Sequence, residues 1–343
     1  MILIKSHSFA KPSINAVFLM LSDFTEDLQT LPEPFLKRME QIIPSEMKEQ
    51  VFRSFIEEPM TCFRINTLKI QEAEAIQILK KSALPVNKIE WLDNAYCVTP
   101  SFRTALMETD LYRQNTIYIQ NLSSMIPPVL LNPTSNEKVL DLAAAPGSKT
   151  LQLAAMMGND GNIMAIELVR KRYYKLLDNL RQHGAENVDV FNTNGETVWK
   201  RFAGQFDKIL IDAPCSTEAR FRVDDEETYR YWSMRKVKEM VRKQSRLLFS
   251  AIQSLRVGGT LIYSTCSFAP EENEGVVDRL MQKFGDSLTV QPLSMNIPNM
   301  QTGMTRWKKK SYHPSVANCL RILPNQLMEG FFVCKMTKTN ITK

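Results

Sequence analysis

The amino-acid sequence predicts an α/β protein, a doubly wound, mainly parallel sheet preceded by a small α+β subdomain. Three observations lead there. From Glu137 onward, short apolar runs alternate with longer amphipathic stretches, two of them followed by glycine. Upstream of Glu137, strand-like and helix-like segments mix without that rhythm. Glu167, Asp212 and Cys266 each stand at the end of an apolar run, and the carboxyl ends of strands are where such sheets bind ligands.

Taken in order, residues 32–39 and 45–56 have helical spacing with Pro or Ser near the start. Residues 62–70 (CFRINTLKI) alternate apolar and polar, which predicts a half-buried strand, and 72–81 predict a helix. Residues 112–120 lead into a helix over 121–131. The alternation that follows predicts strands over 139–142, 162–166, 188–191, 206–211, 260–264 and 331–336. Between them it predicts helices over 148–157, 169–183 (closed by Gly184), 233–255 (closed by Gly258-Gly259) and 271–284. The chain divides into a flexible or helical amino-terminal stretch (1–30), an α+β subdomain (31–115) and the sheet domain (116–343).

Composition narrows the class. Hydrophobic residues make up 44% and charged residues 23% of the chain, which suits a folded soluble protein. The net charge of +6 permits a polyanionic partner without demanding one. No two of the six cysteines form a C-x-x-C pair, so no metal cluster is expected. A chain this long and sparing in cysteine needs no disulfides, which points to free thiols in the cytoplasm. No apolar run approaches the roughly 18 residues of a membrane span. The apolar stretch 14–21 is short and runs into Asp23, Glu26 and Asp27, so it reads as a frayed start rather than a signal peptide. Met20 is a second candidate start. The seven residues after Met336 are expected to hold no further RNA-binding module.

The first chemical feature is Leu140–Thr150, LDLAAAPGSKT. A strand ends in a tight turn of small residues and a helix follows, so a ligand can approach the backbone and meet free N–H groups. A phosphate-binding P-loop is excluded, because Ala143 and Ser148 occupy its two glycine positions once Lys149-Thr150 is aligned. G-x-G-x-x-G is absent too. Glu167 ends the next strand, where an acid binds the ribose hydroxyls of a nucleoside. That placement suits the adenosine half of S-adenosylmethionine.

The second feature is a pair of cysteines. Asp212-Ala213-Pro214-Cys215-Ser216 follows one predicted strand and Ser264-Thr265-Cys266-Ser267 the next. Neighbouring strand ends bring both thiols over one crevice. A lone cysteine is ordinarily a small core residue, and Cys62, Cys97, Cys319 and Cys334 are assigned to that class. Spacing by itself does not rank Cys215 against Cys266.

LDLAAAPGSKT, DAPCS, YSTCSFAPEENE and EGFFVCKM together resemble the Nol/Nop/Sun family of RNA cytosine-5 methyltransferases, and Asn66-Thr67-Leu68-Lys69 and Tyr118-Ile119-Gln120 with Ser123-Ser124-Met125 resemble its amino-terminal subdomain. The resemblance implies a Rossmann-like class I methyltransferase domain over 116–343. It implies Cys266 as nucleophile, Cys215 in product release, and Asp212 beside both cytosine and cofactor. Ala143, Ala144, Ala145, Pro146, Gly147, Ser148 and Lys149, through their backbone, with Glu167 and, near the adenine, Asn194, would hold S-adenosylmethionine. The partner would be rRNA or tRNA, met by a monomer. Two departures are visible: Ala143 and Ser148 replace Cys and Gly of the loop, and Thr217-Glu218-Ala219 replaces a Gly-x-Gly.

Carbon 5 of cytosine is a poor nucleophile until a thiolate adds at carbon 6, and cysteine suits that step because it ionises and leaves readily. Asp212 is the candidate to donate a hydrogen bond at N3, which would require a raised pKa. Arg220 to Arg222 and the stretch 306–313, with Trp307 and Tyr312 among basic residues, are candidate RNA surfaces. Two rival readings remain: a DNA cytosine-5 methyltransferase attacking with Cys215, and a non-catalytic RNA-binding assembly factor.

Overall fold

The computed structural model describes residues 25–341 other than Ser294 and Pro298. The 14–21 stretch, Met20 and most of the expected 1–30 region lie outside the described residues.

After a single helical turn at Thr25–Leu28 come two helices, α1 (Glu33–Ile42) and α2 (Lys48–Arg53). Four strands follow, β1 (Thr61–Ile65), β2 (Asn87–Lys88), β3 (Ala95–Val98) and β4 (Ile117–Ile119), in an antiparallel sheet of order β2-β3-β1-β4. Helix α3 (Glu72–Lys81) buries Ala75 and Leu79 against Phe63, Ile65, Tyr96 and Val98 of that sheet. The strand expected over 62–70 stops at Ile65. Asn66 Oδ1 accepts the Leu68 N–H (3.3 Å) in an Asx turn, and its amide donates to the His183 carbonyl (2.8 Å). Helices α1 and α2 pack elsewhere. The Phe35 ring lies 4.8 Å from Phe221 and 5.8 Å from Trp232, so these helices share the core of the large sheet.

The large sheet begins with β5 (Lys138–Asp141), β6 (Asn162–Ile166), β7 (Val188–Phe191), β8 (Phe206–Asp212) and β9 (Leu255–Thr265). These five run parallel in the order β9-β8-β5-β6-β7. From β5 the chain builds outward through β6 to β7, then crosses back to β8. The crevice between β5 and β8 is therefore the topological switch point. Residues 209–211 and 261–263 are fully buried, as expected of strands covered on both faces.

Helices α4 (Leu122–Leu131), α5 (Ser148–Met156), α6 (Arg170–His183), α7 (Met234–Ser254) and α8 (Glu274–Phe284) cover the sheet. Their ends follow local chemistry. Asn121 and Ser233 side chains cap α4 and α7, and Gly184 ends α6 with φ 75°.

The structure departs from expectation in three further places. Helix α7 passes directly into β9 at Leu255, so Gly258-Gly259 do not close a helix but lie inside a strand. There the register slips: Phe206 faces Leu255 while Lys208 faces Thr260. A β-carbon on Gly259 would meet the Asp207 carbonyl at 2.9 Å, the close approach that glycine serves in a strand bulge. Second, the sheet is parallel only through its centre. Antiparallel strands β10 (Leu288–Gln291), β11 (Met300–Thr302), β14 (Leu320–Ile322) and β15 (Phe331–Lys338) build one flank, with β15 against β9. Only β15 is long enough to show in the sequence. Between them, β12 (Arg306–Trp307) and β13 (Lys310–Ser311) form a separate hairpin. Third, α8 starts at Glu274 rather than Glu271. Among the described residues, no helix is long and apolar enough to cross a membrane.

Candidate active site

The loop after β5 is pinned at both ends by one carboxylate. Asp141 Oδ1 accepts the Ala143 N–H (3.4 Å) and Oδ2 accepts the Thr150 hydroxyl (2.8 Å). Burial pushes Asp141 up to about 6. The far side is held by α6: Arg172 donates to the Ala145 carbonyl and Asn179 to that of Pro146. Gly147 has φ 109°, and a β-carbon there would lie 2.9 Å from Leu176 Cδ1, so any side chain at this position is strained. Ser148 is the first residue of α5 and stands outside the positive-φ residues; its replacement of glycine costs no backbone strain. The start of α5 carries no side-chain cap, which leaves the N–H groups of its first turn to a ligand carboxylate.

Glu167 follows β6 and is almost wholly buried. Its Oε1 accepts the Val169 N–H (2.7 Å) and its Oε2 lies 3.6 Å from Arg172. After β7, Asn192 donates to the Glu167 and Leu168 carbonyls, and Asn194 Oδ1 accepts the Glu196 N–H (3.0 Å). An open helix start and a carboxylate at the neighbouring strand end fit an amino-acid carboxylate and a ribose, both of which S-adenosylmethionine carries.

The cysteines sit at the ends of β8 and β9, where Asp212 pairs in register with Ser264. Cys215 Sγ and Cys266 Sγ are 3.3 Å apart. The two thiols are within hydrogen-bonding distance of each other. Their hydrogen bond, with the Arg220 guanidinium adding to it, draws Cys266 below the ordinary thiol value against the effect of burial. The same bond, with burial, holds Cys215 well above it. Of the two, Cys266 is the thiol whose surroundings favour the thiolate.

Beside them, Asp212 accepts from the Ser264 hydroxyl (3.0 Å) at Oδ1 and from the Lys149 ammonium (2.6 Å) at Oδ2. Lys149 also donates to Ser124 Oγ (2.6 Å). This revises one expectation and adds to another. Asp212 is an acceptor at both oxygens rather than a donor to the base. Lys149 keeps its backbone in the cofactor loop but sends its ammonium into the cysteine crevice.

Beneath the thiols lies a buried network. Glu272 accepts from Ser216 N–H (3.0 Å), Ser216 Oγ, Ser267 Oγ (3.0 Å) and Gln244 (2.8 Å). Glu218 accepts from Trp232 Nε1 (2.9 Å), Ser267 Oγ (3.1 Å) and Phe268 N–H (2.9 Å). Thr265 donates to Asn273, whose amide donates to the Ser267 carbonyl. Each turn bearing a cysteine is therefore fastened to residues of the other. Burial, and then Glu218, raise Glu272 to about 7. These bonds also explain why α8 starts late.

The sequence reading missed Asp141, Ser124, Glu218, Glu272 and Asn273 as site residues. Only the run of acids in PEENE carried a signal, and its pattern is that of an ordinary helix start. Thr217 has φ 56°, so it adopts the left-handed backbone that a glycine would take, and Glu218 fixes the loop's course. Of the basic residues 220–222, Arg220 is exposed and its Nε lies 3.5 Å from Glu329. Arg222 is spent on the Ile56 and Glu57 carbonyls and Asp224. Trp307 and Tyr312 are each 7% exposed, so neither is a platform for base stacking.

Comparison with known proteins gives the following. Residues 128–337 match the family described as 16S rRNA methyltransferase RsmB/F, and residues 31–122 match the N-terminal domain of 16S rRNA methyltransferase RsmF. The chain is 34% identical over 313 residues to ribosomal RNA small subunit methyltransferase F of Escherichia coli O139:H28, covering 90% of this chain and 63% of that protein. It is 32% identical over 312 residues to the protein so described in Vibrio parahaemolyticus, with coverage of 90% and 63%. The chain thus spans less than two thirds of the length of these relatives. The crystal structure of a methyltransferase homolog from Pyrococcus horikoshii superposes with a TM-score of 0.75 at 30% identity, covering 90% of this chain and 100% of that one. NSun6 from the same organism, solved with SFG, has the same fold (TM-score 0.77, 22% identity, 92% and 100% covered).

Proposed function

The chain belongs to the 16S rRNA methyltransferase RsmB/F family, and from that premise we propose that it is an S-adenosylmethionine-dependent RNA cytosine-5 methyltransferase. Its substrate is RNA of the small ribosomal subunit, in keeping with the activity its relatives are described as having. The observation that carries the chemistry is the 3.3 Å approach of two thiols with the Lys149–Asp212 pair beside them. Two thiols in a polar crevice, one drawn toward the thiolate and the other held as the thiol, suit a reaction that needs a nucleophile and then its release.

S-adenosylmethionine supplies an electrophilic methyl group when bound. The open first turn of α5 would hold its carboxylate, Glu167 its ribose hydroxyls and Asn194 its adenine side. The Cys266 thiolate adds to carbon 6 of the cytosine, which must leave any stack to reach it. The charge that grows on the ring is met by Lys149. Asp212, which accepts from the Lys149 ammonium at 2.6 Å, holds it aimed into the crevice. Carbon 5 would then take the methyl group, the rest of the cofactor leaving as S-adenosylhomocysteine. Loss of the carbon 5 proton to water would break the bond between Cys266 and carbon 6, and the Cys215 thiol, 3.3 Å away, would assist by hydrogen-bonding the departing Cys266 thiolate.

The test is transfer of labelled methyl from S-adenosylmethionine to 16S rRNA, followed by bisulfite sequencing. Label recovered as 5-methylcytosine in that RNA is the expected result. Label appearing only in tRNA overturns the substrate, and no label in any RNA overturns the reading.

A further inference from the structure

The hairpin β12–β13 stands over a hollow of about 290 Å³ that the chemistry above leaves unused. Its floor is made by Trp307, Tyr312 and the first turns of α8, and its rim by Arg279, Lys308, Lys309 and Lys310. All four cations are exposed. Their balancing charges are few. Glu271, the one acid in the lining, is already bonded to the Arg38 fork and to Trp307 Nε1. Asp278 behind it is engaged by Lys310 (2.6 Å). Among the described residues Arg279, Lys308 and Lys309 have no ion-pair partner. Lys308 holds φ 54° at the hairpin turn, an uncommon conformation for lysine, and its ammonium lies 5.5 Å from the Trp307 ring centroid.

The rings are buried, so the hollow offers a base nothing to stack on. What it offers is unneutralised positive charge around a cavity large enough for an anionic group. Its distance from the thiols is bounded by the chain. Glu271 is five residues from Cys266, a span of at most about 17 Å when fully extended. The next residue, Glu272, holds both cysteine turns.

We propose that this hollow binds backbone phosphate of the RNA strand within a few nucleotides of the target cytosine, with Arg279 and Lys309 as its main contacts. Phosphate contacts of this kind set position and register while carrying no sequence information. The proposal rests on the RNA reading above. It turns the basic stretch 306–313 from a stacking surface into an electrostatic one.

The test is binding of fluorescein-labelled single-stranded oligocytidylate to the full chain by anisotropy across a KCl series. Arg279→Gln/Lys309→Gln is expected to weaken binding by about 10-fold at low salt. The slope of log K against log salt should fall by about 1.4, since each lost single-strand contact contributes about 0.7. Lys309→Arg should bind as the parent does. Both positions are exposed, so thermal melting should not change. RNA affinity and slope equal to the parent's overturn the proposal. So does displacement of the RNA by polyglutamate at matched charge, which would show a site for carboxylate-rich protein. A parent chain that binds no RNA overturns the RNA reading itself, and this proposal with it.

Discussion

The two halves of the crevice are built on different terms. The cofactor side, at the ends of β5 and β6, is a backbone construction: a short loop, one buried carboxylate that ties its ends, and an open helix start. The thiol side, at the ends of β8 and β9, is a side-chain construction in which Glu218, Glu272 and Asn273 fasten two turns 51 residues apart in the chain. A backbone site tolerates substitution wherever φ and space permit. A side-chain network fails when one member is lost, because its buried partners are left unpaired.

The largest effect that this contrast predicts concerns the thiols. Cys266→Ala should lower methyl transfer by about 10³-fold or more and form no covalent complex with RNA containing 5-azacytidine. Cys215→Ala should instead accumulate such a complex on ordinary RNA, read on a denaturing gel. The reverse pattern would make Cys215 the nucleophile.

Glu272 is the next. Glu272→Ala strands Ser216 N–H and the Gln244 amide and should cost about 3 kcal/mol of stability by urea unfolding. Glu272→Gln should be tolerated, since its carbonyl can face those two donors while its amide faces the Ser216 and Ser267 hydroxyls. This variant also isolates a pH effect. Burial raises Glu272 from 4.5 to about 7, so the neutral form is favoured in the fold. Its contribution is fully present below pH 4.5 and is lost as pH rises through about 7, on the order of 3 kcal/mol in all. The parent should therefore lose stability relative to Glu272→Gln over that window, and parallel melting curves would refute the assignment.

On the cofactor side the expected effect is smaller and of another kind. Glu167→Ala should raise the KM for S-adenosylmethionine about 10-fold with little change in kcat, because it removes binding shared by ground and transition states. A fall in kcat alone would move Glu167 out of the ribose role.

The smallest effects have opposite signs on the two sides. Ser148→Gly places glycine in a helix and should destabilise by about 0.5–1 kcal/mol. Thr217→Gly relieves a left-handed β-branched residue and should stabilise by about 1 kcal/mol, measured by the shift in denaturation midpoint. Equal signs would mean that the two departures from the family pattern have the same physical origin.

By itself the sequence determined the alternation of strands and helices, the cofactor loop and the two cysteine turns, since each depends on residues close together in the chain. A strand that runs from Leu140 into small residues and then Ser148 signals its turn locally. The family motifs ranked Cys266 over Cys215, which spacing left open. Only the tertiary structure decided that Lys149 points away from the cofactor loop to Asp212, that Arg222 is spent on carbonyls of residues 56 and 57, and that Trp307 is floor rather than platform. It also decided the antiparallel flank and the grip of Glu272. The reason is physical. Local patterns record which backbone a segment prefers, whereas the direction of a buried charge depends on which partners the sheet brings to it, and those lie tens to hundreds of residues away.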